Sequence, residues 1–273
     1  MQEAPSYEAE KITANLQFVD GLVWSHAGYL AVADVRQRKL FRIDSSPNPK
    51  VLKDDDGGAS GLAYDMQGRL YICESVARRV SRMDLKGKVD TLAGDFEGKK
   101  FNAPNDIVVR RDGHVYFTDP AFGSANDHRE LDFYGVFHIT PKGEIEAAAK
   151  WQTRPNGIAL SLDGKLLFVC DSDRHVVVAF DLDKNGAASN QRDFIRNVKG
   201  VPGGIKTDVE GRLYVAAQGV PVYSAQGKLE RTLMPDTIVS NCAFGEADSD
   251  SLFISVRDSV YRVKLGVKGA LQY

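Results

Sequence analysis

Residues 105–120, NDIVVRRDGHVYFTDP, read as an apolar strand, a turn on Asp112-Gly113, and a second strand rich in β-branched and aromatic side chains. The same sentence recurs along the chain. GLAYDMQGRLYICES starts at Gly61, NGIALSLDGKLLFVCDS at Asn156, GGIKTDVEGRLYVAAQ at Gly203 and NCAFGEADSDSLFISV at Asn241, with a fainter copy, GLVWSHAGYLAVAD, at Gly21. Taking Gly21, Gly61, Asp106, Gly157, Gly204 and Cys242 as equivalent, the intervals run from 38 to 51 residues. Repeats of that period with β-patterning throughout describe propeller blades.

Further strands complete each unit. RVSRMD from Arg79 and KVDTLAG from Lys88 follow the second copy, GVFHIT from Gly135 and EIEAA from Glu144 the third, VVVAFD from Val176 and DFIRN from Asp193 the fourth. No segment sustains a 3.6-residue apolar period, so helices should be nearly absent. The expected fold is all-β: a six-bladed propeller of four-stranded antiparallel blades, one domain over residues 1–273. The last blade, SLFISVRD with SVYRVKL, lacks a strand that EAEKITAN from Glu8 can supply, closing the ring and removing its open edges.

Bulk properties narrow the function classes. Lys plus Arg number 35 against 37 for Asp plus Glu, a net charge of −2, which offers no field for a nucleic acid backbone. The longest apolar runs are a few residues, far below the ~20 of a spanning helix, so the expectation is a soluble protein without a membrane partner. Cys73, Cys170 and Cys242 form no CxxC pair and read as buried apolar groups. MQEAP shows no signal peptide and is compatible with a processed N-terminus carrying an added Met, so the compartment stays open. No GxSxG elbow occurs, no Cys–His order suggests a thiol nucleophile, and GDFEGKK from Gly94 lacks P-loop spacing and reads as a loop.

In a propeller the loops entering the first strands crowd at one channel mouth. Here those positions are Asp20, Ser60, Asn105, Asn156, Gly203 and Asn241. Singly, each reads as a turn residue bonding its own backbone. Together they form an oxygen-rich ring suited to a hard cation such as calcium, whereas no His or Cys cluster suits zinc.

FNAPNDIVVRRDGHVYFTDPAFG from Phe101, RPNGIALSLDGKLLFVCDS from Arg154, ELDFYGVFHI from Glu130 and the SNCAFG segment resemble the family of senescence marker protein, gluconolactonase and luciferin-regenerating enzyme. The resemblance spans nearly the whole chain. It implies a divalent cation, usually calcium, in the channel and hydrolysis of sugar lactones or related small esters. Family ligands map onto Asn105 and Asn156. Asp20, in VDGLVW, stands where the family has glutamate. Gly203, in PGGI, replaces the family's aspartate, and Ser60 stands where asparagine is common. One carboxylate instead of two implies weaker binding.

The mechanism so implied uses the cation as a Lewis acid on the carbonyl, with an acid nearby as general base. Asp106 is the nominee; Glu74, Asp119 and Asp171 also follow or open channel strands, though the last two read better as caps. Residues 121–135, AFGSANDHRELDFYG, form a candidate lid that carries His128, read as an exposed loop residue without a role. His26, His114, His138 and His175 read as structural. Two further readings are a propeller that has lost catalysis and only binds a small molecule, and an enzyme that uses the channel without a metal.

Overall fold

The computed structural model describes residues 7–13, 15–44, 48–54 and 57–272. Met1–Pro5, where a processed N-terminus was considered, lies outside the described residues. Six four-stranded antiparallel sheets form a six-bladed β-propeller. From channel to rim, blade one is Val19–Ser25, Tyr29–Asp34, Lys39–Ile43 and Lys50–Asp54; blade two is Ala59–Tyr64, Leu70–Glu74, Arg79–Met83 and Val89–Ala93. Blade three is Ile107–Val109, Val115–Asp119, Tyr134–Ile139 and Ile145–Trp151; blade four is Pro155–Leu160, Leu166–Asp171, Val176–Leu182 and Ala188–Ile195. Blade five is Ile205–Thr207, Leu213–Val215, Gln218–Tyr223 and Leu229–Ile238. Cys242–Gly245, Ser251–Val256 and Ser259–Lys264 make blade six, and Ala9–Thr13 pairs antiparallel with Ser259–Lys264 as its outermost strand. The ring therefore closes as the N-terminal sequence led us to expect.

Apolar clusters between neighbouring blades hold the ring. Phe101, Phe117 and Phe137 are buried with centroids 5.0 to 5.2 Å apart, and truncating one to Ala would cost about 3–5 kcal/mol. All three cysteines are buried and unpaired. The one helix among the described residues is a 3-10 turn, Gly123–His128, inside the candidate lid. GDFEGKK is a short hairpin, Asp95–Phe96 against Lys99–Lys100, where we expected a loop. Its turn sits on Glu97 and Gly98, both at positive φ, a two-residue geometry that fits the strand twist.

Adjacent inner strands approach closely at the channel mouth. Gly61 donates its N–H to Asn105 O at 2.6 Å, and Gly157 to Gly203 O at 3.0 Å. A Cβ at Gly61 would lie 2.5 Å from Asn105 O. That contact is why the repeat carries glycine after its polar residue, and it fixes the ring positions against one another.

Candidate functional site

Asp20, Ser60, Asn105, Asn156, Gly203 and Ser240 line the floor of a cavity of about 660 Å³ at the channel mouth. The last blade differs from expectation by one residue. Ser240 N–H pairs with Ser255 O and Ser255 N–H with Asn241 O, as Asn105 and Asp106 pair with Thr118 and Gly203 and Gly204 with Ala216. Ser240 is thus the ring residue, while Asn241 takes the place that Asp106 holds in blade three. Asn241 shares the letter of Asn105 and Asn156, and Ser240 shares their position.

A hydrogen-bonded chain crosses three blades. Asn105 Nδ2 donates to Ser60 Oγ at 3.2 Å, and Ser60 Oγ donates to Asp20 Oδ2 at 2.7 Å. Asn156 Nδ2 donates to Ser172 Oγ at 3.0 Å, whose hydroxyl donates to Pro202 O at 2.8 Å. Each amide uses one N–H this way, and among the described residues neither side-chain carbonyl oxygen accepts a protein donor, so both are available to a ligand in the cavity. Asp20 Oδ1 meets no protein donor among the described residues. Burial pushes the Asp20 carboxyl up to about 6; the Asp106 charge adds to this, while the Ser60 hydroxyl and the Lys206 charge oppose it.

Three side-chain oxygens, one of them from a carboxylate, fit a hard cation with water completing its shell. Gly203 adds no side chain, and the structure closes the position to one: a Cβ there would fall against Ser240 O, a backbone atom. Among the described residues no group of three His, Cys, Asp or Glu gathers for a metal.

Asp106 is placed differently from Asp20. It is buried outside the cavity lining, its Oδ1 accepts Ile107 N–H at 3.0 Å and its Oδ2 accepts Ile158 N–H of the next blade at 3.1 Å. Burial raises its pKa, against the Lys206 charge and these two donors. Of the acids ending second strands, Asp119 and Asp171 serve loops and Glu74 its neighbouring strand. Asp119 Oδ2 and Oδ1 accept the N–H groups of Asn102 and Ala103 at 2.8 Å each, and burial lifts Asp119 to about 7 against those bonds. Asp171 accepts Asp173 and Arg174 N–H and the Thr153 hydroxyl. Glu74 pairs with Arg79 and accepts the Ser81 hydroxyl. His128 does line the cavity, from the lid.

Lys206 escaped the sequence reading. On the inner strand of blade five it matches Val23, Ala63, Val108, Ala159 and Ala243, which line an apolar cavity of about 80 Å³ lower in the channel. Its Nζ donates to Ile205 O at 3.0 Å, and its charge draws down the pKa of both Asp20 and Asp106. Stacking the repeats in register shows one charged residue in an apolar column, the signal that would have found it. Ala270, Leu271 and Gln272 complete that cavity's lining.

The model of the SMP-30/gluconolactonase/LRE-like region matches residues 18–257. A gluconolactonase of Zymomonas mobilis is 28% identical over 93% of this chain and 80% of its own length. Regucalcin of Xenopus laevis is 32% identical over 85% and 81%. A solved gluconolactonase structure from Xanthomonas campestris superposes with a TM-score of 0.88 at 29% identity, covering 95% of this chain and 90% of that one. Lactone hydrolases therefore stand among the proteins this chain is similar to over most of its length.

Proposed function

The chain belongs to the SMP-30/gluconolactonase/LRE-like family, and from that membership we propose that it hydrolyses lactones or related small esters at the channel mouth. The observation that carries the proposal is the pair Asn105 and Asn156, whose amides each give one N–H to Ser60 and Ser172 and whose carbonyl oxygens, accepting no protein donor among the described residues, are available beside Asp20 on the cavity floor. These three residues would hold a divalent cation, calcium by donor type, which when bound supplies Lewis-acid polarisation of the substrate carbonyl.

The side chains present account for the remaining work. Water adds to the carbonyl carbon, the ring C–O bond breaks, and a hydroxy acid leaves. Asp20 is the carboxylate on the cavity, so we assign it, in place of Asp106, to take the water's proton and pass it to the ring oxygen as the C–O bond breaks. Burial raises the Asp20 pKa, which favours proton acceptance, while a cation bound beside it would act the other way. Ser60 orients Asp20 through its hydroxyl. Asp106 clamps blade three to blade four beneath the ring.

Gly203 favours one second reading, a propeller that binds a small molecule without turning it over, because the ring has a single carboxylate. A lactone and ester screen on chelator-stripped protein, with and without calcium, separates the two. Hydrolysis above background that Asn156→Ala and Asp20→Asn each lower by at least about a hundredfold supports the hydrolase. Absence of turnover on every lactone and ester, at millimolar calcium, overturns it.

A further inference from the structure

We infer that the substrate carries an apolar substituent, an alkyl or aryl chain on the lactone or ester, and is not a free polyhydroxylated sugar lactone; the inference rests on the hydrolase reading above. Above the polar floor the cavity wall is Phe18, Val35, Val76, Phe122, Val201 and Val239. Phe18, Val76 and Val201 are 36%, 59% and 58% exposed, and they come from three separate loops. Singly exposed apolar residues need no explanation, but three converging on one opening above a polar floor mark a binding surface. Their placement is built in. Asp34 accepts the N–H groups of Gln17 and Phe18 at 2.6 and 3.2 Å, and Arg36 lies 5.7 Å from the Phe18 ring centroid. Arg154 sits 4.9 Å from the Phe122 centroid while paired to Asp173.

Of the polar residues on the same wall, Ser75, Asn102 and Arg78 are already engaged by protein, while Ser124 and His128 also line it. Ser75 Oγ donates to Gly58 O at 2.8 Å, and Asn102 Nδ2 donates to Asp119 O at 3.1 Å and Phe133 O at 3.0 Å. Asn102 Oδ1 is sealed from solvent. Arg78 donates to Phe101 O, Lys100 O and Glu130 Oε1 at 2.5 to 3.3 Å. A sugar lactone needs partners for several hydroxyls, and each left unpaired against this wall opposes binding. An alkyl or aryl chain needs none, and 660 Å³ holds a small ring with a medium chain.

The test uses γ-lactones with no tail and with butyl, hexyl and octyl tails, alongside glucono-δ-lactone, assayed for hydrolysis. Matching γ-lactams, which resist hydrolysis, are titrated by calorimetry. The expected result is that kcat/KM and lactam affinity both rise about two- to fourfold per methylene until the chain leaves the cavity. Val76→Asp and Val201→Asp, at exposed positions, flatten that rise; Leu85→Asp, more exposed still and outside the cavity, keeps it. Tail-independent kcat/KM and lactam affinity, or faster hydrolysis of glucono-δ-lactone than of the octyl lactone, overturn the inference. Lactam affinity that grows with the tail while no lactone is hydrolysed removes the hydrolase reading and supports the apolar-ligand assignment. Absence of both removes the two together.

Discussion

Asp106 and Asn241 occupy the same place in blades three and six: the Oδ1 of each accepts the N–H of its successor, Ile107 at 3.0 Å and Cys242 at 2.8 Å. Only Asp106 reaches further, accepting Ile158 N–H across the blade boundary. Asp106→Asn should therefore keep the first bond and set an amide against the second donor. We expect a loss of about 1–3 kcal/mol in urea denaturation, with kcat reduced less than tenfold. A fall of a hundredfold or more in kcat would return the base to Asp106.

Gly203→Asp, which on paper restores the missing ligand, should not do so. Its Cβ meets Ser240 O, and that carbonyl accepts Gly204 N–H at 2.9 Å, so the neighbour cannot withdraw freely. Destabilisation of about 1–3 kcal/mol is expected, without a gain in calcium affinity by calorimetry. Tighter calcium binding at unchanged melting temperature would show the blades can part.

Lys206→Met removes a positive charge that holds down the Asp20 carboxyl while keeping side-chain length. Asp20 should then titrate at higher pH in chelator-stripped protein, followed by carboxyl NMR. An unmoved titration would mean that Lys206 turns its charge elsewhere in solution.

His114 Nδ1 and His138 Nε2 lie 2.7 Å apart in the buried part of blade three. Burial lowers both pKa values, aided by the Arg110 charge at His114 and by mutual repulsion at His138. Glu146 Oε2, 3.5 Å from His138 Nδ1, and Asp112, 3.9 Å from His114 Nε2, oppose this. A histidine depressed in the fold binds less proton there than when unfolded, so stability is lost as pH falls through the unfolded value near 6.5. The melting temperature should drop between pH 7.5 and 5.5, and His138→Phe should shrink that drop. An equal drop in the variant would assign the acid sensitivity elsewhere.

The blades were legible because six copies of one pattern must pack alike. Asn105, Asn156 and Asp20 were readable as a converging set for the same reason. What escaped has physical causes. In SNCAFG the asparagine bonds its own backbone as Asp106 does, so the letter misled where strand pairing with Ser255 decides. That Asp106 turns its carboxylate onto Ile107 and Ile158 N–H was not readable, because a strand entrance does not show which way a carboxylate turns. Lys206 lies inside a strand, in a column whose apolar character shows only when blades are superposed. Phe18, Val76 and Val201 come from loops without periodicity, and nothing local ties them to one opening.

The pairing of Glu10 with Arg262, 252 residues apart and 2.5 Å between Nη2 and Oε2, sets an order on assembly. Ala9–Thr13 leaves the ribosome before the other described strands yet belongs to the sheet completed last, so it must wait, unpaired, until Ser259–Lys264 has been made. Until then both ends of a growing stack of blades present bare edges to other nascent chains. The closed ring is a product that arrives all at once, and a chain cut short before Ser259 would carry a strand with no partner at all.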